Sequence, residues 1–254
     1  MLYKLGAVPY LNALPLIHYL KERPRLEPPA PLVRLLKLGQ VDIATAPIVA
    51  AFENPQYCLV PGIGIASNGP VRSVKLFFRS DKFSVENLRS VYLDMESQTS
   101  AMLLKVLLQF KYGRNLDEIR FVTPIPTREV DAWLMIGDKA MKELPETPPL
   151  DLGYEWTSWT GLPFVYAAWL CRLPEVSERA IEELTKARDE GVANLKAVIP
   201  LETTLPFDLI EDYLRNITYR FGPKEMEGME LFRDYLLRAD LIPSKTAELK
   251  YANS

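Results

Sequence analysis

Runs that read as β-strands and runs that read as α-helices alternate along this chain, and that alternation restricts its fold more than any other feature. Leu2 to Val8 reads as a strand, and Ala13 to Lys21 as a helix with Pro15 in its first turn. "APLVRLLKLGQ" sets apolar residues at 32, 33, 35, 36 and 38, a helical face closed by Gly39. "VDIATAP" is the pattern of a buried strand, with Pro47 opening another helix. "YCLVPGIGIAS" and "VRSVKLFFRS" are strand-like and are separated by the turn "SNGP". The scheme then repeats: a strand at 91–93, a helix from Thr99 to Lys111, strands in "EIRFVTP" and "VDAWLMIGD", a helix opening at "KAMKEL", and a long apolar strand in "PFVYAAWLCR". From Ser177 the chain reads as mostly helical, through "SERAIEELTKARDEGVANL", "PFDLIEDYLRNI" and "GMELFRDYLLRADLI".

Such alternation predicts an α/β fold with a parallel-rich sheet. The long apolar strands around 74–79 and 164–171 bracket a self-contained α/β block, so a second lobe inserted into the first is expected. Lobe 1 then comprises 1–78 plus 172–254, lobe 2 comprises 79–171, and a cleft lies between them. A chain of 254 residues is long enough for either one large domain or two such lobes.

Charge and composition exclude several kinds of function. The net charge of −3, without a basic tract, argues against nucleic acid or an anionic membrane as a partner. No apolar run approaches the ~18 residues of a membrane helix, and "MLYKLGAVPYLNALPL" lacks the features of a secretory signal. A soluble, cytoplasmic protein is therefore expected. Cys58 and Cys171 are far apart and show no metal-ligand spacing. His18 is the one histidine, so a His-rich zinc site is excluded and a Ser-His-Asp triad would need His18 itself. "GIGIASNG" lacks the third glycine and the following helix of a dinucleotide loop. The expected inventory is no metal and no cofactor, which leaves proton transfer and positioning.

Ligands of α/β sheets bind beyond the carboxyl ends of strands, and here those ends are polar. "VPYLN" delivers Tyr10 and Asn12, and "IASNGPV" delivers Ser67, Asn68 and Gly69. "MESQTS" offers Glu96, Ser97, Gln98, Thr99 and Ser100 at a helix start, and "IGDKAM" offers Asp138. A helix start leaves about four N–H groups unpaired and carries the positive end of the dipole, which suits an anion. Each residue also has a structural reading. Asn12, Ser97, Thr99 and Asp138 fit helix caps, "SNGP" fits a plain turn, and Trp156, Trp159, Phe164, Tyr166 and Trp169 fit a core.

Taken together, "VPYLNALPL", "SNGPVRSV", "LDMESQTSAMLL", "IGDKAM" and "DLGYEWTSWTGLPFVYAAW" resemble the chorismate dehydratases of the futalosine route to menaquinone. The resemblance covers roughly residues 3 to 175. It implies a two-lobed, periplasmic-binding-protein-like (type II) fold with a central cleft, used as a cytoplasmic enzyme. It also implies cofactor-independent dehydration of chorismate, a dicarboxylate, to 3-[(1-carboxyvinyl)oxy]benzoate. On that basis Asn12 and Ser67 are the expected catalytic contacts. Asn68 and Gly69 join Ser67 at one end of the ligand, and Ser97, Gln98, Thr99 and Ser100 hold a carboxylate at the other, with Tyr10 and Asp138 in support. Candidate proton acceptors are a substrate carboxylate, Asp138 and Glu96. The chain departs from the family pattern at Ile48 and Ala50, where polar residues are expected, and at Gln98, where arginine is expected. Two alternatives share the fold: a non-catalytic small-anion binder, and the sister enzyme that makes 1,4-dihydroxy-6-naphthoate, whose histidine and S-P-C-P-N-D signature this chain lacks.

Overall fold

The computed structural model describes residues 3–94, 98–123, 130–143, 145–172, 176–243 and 249–252. The chain opens with β1 (Leu5–Ala7), a single 3-10 turn (Leu11–Ala13) and α1 (Leu14–Ile17). It continues through β2 (Arg25–Leu26), α2 (Pro29–Lys37), β3 (Ile43–Pro47), α3 (Ile48–Glu53), β4 (Cys58–Ser67) and β5 (Val74–Phe78). The middle holds β6 (Ser90–Leu93), α4 (Gln98–Val106), β7 (Arg120–Val122), β8 (Ala132–Ile136), α5 (Asp138–Lys142), β9 (Leu150–Asp151) and α6 (Leu152–Thr160). After β10 (Phe164–Cys171) come α7 (Glu178–Ala193), α8 (Leu195–Val198), α9 (Phe207–Arg215), β11 (Ile217–Arg220) and α10 (Pro223–Arg238).

These strands form two sheets, ordered β11-β4-β10-β3-β1-β2 and β7-β6-β8-β5-β9. The sheets are mixed rather than parallel-rich. β1 runs parallel to β2 and β3, and β6 to β7 and β8, but β10 is antiparallel to both β3 and β4. β5 is likewise antiparallel to β8 and β9. The antiparallel pair β4–β10 follows from the connectivity: the chain leaves the first sheet by β4 and returns by its neighbour β10, so the two run in opposite directions.

The expected lobe boundaries meet a specific difference here. Val74–Phe78 pairs inside the second sheet, and Phe164–Cys171 inside the first. We propose that the lobes exchange at 68–73 and 152–163, and not after 78 and 171.

Local patterns explain most elements. In α2 the apolar stripe buries Leu32, Leu35 and Leu36, while Leu38 stays exposed because the helix stops at Lys37 and Gly39 turns the chain with φ +67°. α1 ends four residues before the expected Lys21, at Ile17. It is crossed so closely by α7 that a Cβ on Gly191 would lie 1.9 Å from the Pro15 carbonyl oxygen, so only glycine fits. α6, within the motif "DLGYEWTSWTG", is capped by Asp151, whose side chain accepts from the Tyr154 N–H, and stops at Gly161 with φ +73°. β11 interrupts the expected helical tail. Ile217 and Tyr219 face inward and Arg220 outward, a two-residue period that places it beside β4 at the sheet edge.

The aromatic residues are mostly core. Trp156, Phe164 and Trp169 are fully buried, and Phe164 lies 5.3 Å from Trp156 and 4.8 Å from Phe232 of α10, ring to ring. Among the described residues no helix is long and apolar enough to cross a membrane.

Candidate active site

The ends of β1, β3, β4 and β10 face α4 and the ends of β5 and β8 across a cleft open to solvent. Val8, Ala46, Pro47, Ile65, Val71 and Ile136 make an apolar lining. The polar groups set into it are Tyr10, Asn12, Ser73, Gln98, Thr99, Ser100 and Tyr166. A wall that is mostly apolar with a few convergent polar groups is the usual form of a small-molecule site. None of the described residues in the wall is charged.

Asn12 leaves β1 through the extended backbone of Tyr10 (φ −110°, ψ 155°) and enters the 3-10 turn. Neither that turn nor α1 is capped by a side chain, so Asn12 does not serve the helix start. Its Oδ1 is sealed from solvent and has no hydrogen-bond partner. Thr99 behaves in the same way. The residue is 4% exposed, it is the second residue of α4, and its Oγ1 is buried without a partner. Buried polar atoms are nearly always paired, so two unpaired ones in a single cleft make it the candidate ligand site.

Gln98 spends its side-chain amide on Glu53, donating from Nε2 to Oε2 at 2.8 Å and so tying α4 to the end of α3. Burial raises the Glu53 carboxyl above its ordinary range, and this hydrogen bond partly offsets it. Ile48 and Ala50 are buried, 0% and 3% exposed, so those departures from the family pattern lie in the packing of α3 and not in the wall. Glu96 and Ser97 lie outside the described residues.

Ser67, Asn68 and Gly69 are absent from the cleft wall. Ser67 is fully buried behind Tyr166; its Oγ lies 3.1 Å from the tyrosine hydroxyl and donates to the Gly69 carbonyl at 3.2 Å. The Gly69 N–H donates to Thr157 Oγ1 at 3.0 Å. Gly69 adopts φ +113° with open space around it, so its backbone serves the turn. The serine that reaches the wall in this segment is Ser73, 2% exposed, whose Oγ accepts from the Tyr213 hydroxyl at 2.9 Å.

Asp138 is the first residue of α5, and Gly137 before it, with φ +66°, occupies the cap position and touches the cleft. Burial raises the Asp138 carboxyl, while Lys142 and a hydrogen bond from the Leu11 backbone pull it down. His18 is exposed and packs edge-to-face on Tyr19, 4.8 Å between centroids, remote from this wall. Of the two cations in and just after the segment "SNGPVRSV", Arg72 pairs with Asp212 and Lys75 donates to the Ala140 carbonyl.

The sequence signals for Tyr10, Asn12, Gln98, Thr99 and Ser100 thus converge on one cleft, which also takes in Ser73 and Tyr166, residues that no such signal marks as ligand contacts. Ser73 lies inside the quoted motif "SNGPVRSV", so the motif marked the segment without marking the residue. Among the described residues no group of three His, Cys, Asp or Glu side chains is placed to hold a metal.

Known proteins resemble this chain over most of its length. Residues 3–238 match the model of a family described as menaquinone biosynthesis. A chorismate dehydratase of Thermus thermophilus is 31% identical over 92% of this chain and 95% of its own length. A chorismate dehydratase of Campylobacter jejuni is 30% identical over 65% of this chain and 66% of its own. Among solved structures, an Archaeoglobus fulgidus protein superposes with a TM-score of 0.72 at 16% identity, covering 94% of this chain and 98% of that one. The periplasmic aliphatic sulphonate binding protein of Escherichia coli gives 0.61 at 15% identity, covering 96% and 94%. The fold is the two-lobed one of periplasmic binding proteins.

Proposed function

The chain belongs to the menaquinone-biosynthesis family, and from that premise we propose that it is a hydro-lyase that dehydrates chorismate. The observation that carries this reading is the 31% identity to a chorismate dehydratase over 92% of the chain. The cleft gives it chemical content. Chorismate loses its C4 hydroxyl and its C3 proton as one water, and the ring becomes aromatic, so the net reaction is strongly downhill. The protein need only hold the ring, assist the hydroxyl's departure and let a base reach the proton. Positioning of this kind supplies several kcal/mol, on the order of 7–11 at best.

We assign the unpaired Asn12 Oδ1 to the ring hydroxyl, which offers it a donor. Thr99, Ser100 and the first N–H groups of α4 hold a substrate carboxylate with neutral donors and the helix dipole. Tyr10 and Tyr166 border the ring. The wall's described side chains are uncharged and Asp138 is not among them, so a carboxylate of the substrate itself is the proton acceptor we favour. Both cysteines are buried thiols outside any disulfide, and burial pushes Cys171 up to about 12. Such thiols suit the reducing cytoplasm in which we place the enzyme.

The test is to incubate the purified protein with chorismate and follow the loss of diene absorbance, identifying products by mass. An aromatic product lighter by one water, formed faster than spontaneous decay, is the expected result. Chorismate that binds but persists would make the protein a binder of the same anion.

A further inference from the structure

We propose that Tyr213, carried by α9 in the C-terminal helical region, is a positioning residue that fixes which way the hydrogen bonds of the cleft point. The proposal rests on the dehydratase reading for the identity of the ligand, but its geometry stands apart from it. Tyr213 is 1% exposed and donates its hydroxyl proton to Ser73 Oγ at 2.9 Å. We take the Asn12 amide as the donor to the same phenol oxygen, in keeping with its lowering effect on the pKa of that phenol. On this proposal one buried hydroxyl joins two polar cleft residues, Asn12 in the 3-10 turn after β1 and Ser73 just before β5.

The consequence follows from counting protons. The Tyr213 proton is committed to Ser73, so the Ser73 hydroxyl proton points elsewhere, and Ser73 becomes a donor into the cleft. The Asn12 NH₂ is turned to the phenol oxygen, so Oδ1 is what Asn12 offers the ligand. That is the atom found buried and unpaired. Without the phenol the Asn12 amide is free to flip and present donors instead. A ligand in this corner must bring a donor to Asn12 and an acceptor to Ser73, and a ring hydroxyl beside a carboxylate or ether oxygen does both. Burial holds the phenol far above its ordinary range, with Asp138 and Asp151 adding to the effect, so Tyr213 stays a neutral donor throughout the working pH range.

Tyr213→Phe keeps the ring and deletes only the hydroxyl. With chorismate, kcat/KM is expected to fall at least tenfold while the thermal midpoint moves little. Combined with Ser73→Ala, the loss should be clearly smaller than the product of the two single losses, because both variants break one chain of hydrogen bonds. Unchanged kinetics, or losses that multiply, would overturn the proposal. A readout without any ligand is the side-chain amide signal of Asn12 in a ¹⁵N spectrum, assigned by its disappearance in Asn12→Asp. It should shift or broaden in Tyr213→Phe, and the same signal in Ser73→Ala serves if that variant does not fold. An Asn12 signal unmoved in the folded variant sinks the positioning role. A wild type inert toward chorismate would sink the dehydratase reading alone, and the Asn12 signal would still decide Tyr213.

Discussion

Thr99 is a residue whose stability and function should pull in opposite directions. Its buried Oγ1 has no partner, and an unsatisfied buried hydroxyl costs about 1–3 kcal/mol of folding free energy. Thr99→Val keeps the branched shape and removes that cost. The expected outcome is unchanged or higher stability, by up to about 1 kcal/mol, together with a several-fold higher KM for chorismate. Thermal melts beside steady-state kinetics check it, and a less stable protein with an unaltered KM would make the hydroxyl a structural group. Residues of this kind draw notice in a sequence because they sit at a strand-to-helix junction, where a few consecutive letters gather polar groups that the fold sets into one cleft. Ser67 sits behind the wall with its hydroxyl bonded internally, to Tyr166 and Gly69, through contacts that no local pattern records. Tyr213 was invisible for the same reason: it meets Ser73 across 140 positions of chain.

At the scale of elements, the end of α4 shows how local irregularity positions distant groups. The helix widens into a π-turn over Leu107–Lys111, a distortion that often marks a specific side-chain placement. Lys111 Nζ then reaches Glu155 Oε2 of α6 at 2.5 Å, and the Tyr112 hydroxyl donates to the same oxygen at 2.5 Å. The Lys111 and Glu155 side chains are only 19% and 12% exposed. Removing one partner of a largely buried pair strands the other charge, so Glu155→Ala should cost about 3 kcal/mol. Glu155→Gln, which keeps an acceptor, should cost less. Chemical denaturation measures both, and turnover per folded molecule should be unchanged; equal costs would mean that packing, and not the pair, matters there. The sequence disclosed the elements that announce themselves by long apolar runs, such as β4, β5 and β10. It did not disclose β2 and β9, two residues each, whose pairing is decided by their neighbours. β11 was absorbed into a helix because four alternating residues are too few to set a period against the amphipathic run before them.

On the scale of the molecule, two lobes around a cleft were legible, since an α/β block flanked by long apolar strands has few other ways to fold. Which sheet each flanking strand joins was not, because apolar composition states that a strand is buried without naming its neighbours. The segments that cross between the sheets are pinned by Asp151. Its Oδ1 accepts from the Val71 N–H at 3.0 Å and the Tyr154 N–H at 3.1 Å, and its Oδ2 from the Arg72 N–H at 2.6 Å. Arg72 holds φ +65°, unusual for a residue with a side chain, and its guanidinium pairs with Asp212 of α9. A left-handed arginine costs about 1–2 kcal/mol, which the bond to Asp151 offsets, so one carboxylate sets the path of both crossings. Asp151→Asn retains Oδ1 but turns an NH₂ toward the Arg72 N–H. The expected result is a loss of about 1–3 kcal/mol and faster amide exchange at 71 and 72, with the lobes of the ligand-free protein more widely spread in small-angle scattering. Asp151 also caps α6, so the α6 amides are the control. If they alone exchange faster while 71 and 72 keep their protection, Asp151 is a helix cap and the crossing is held by other contacts.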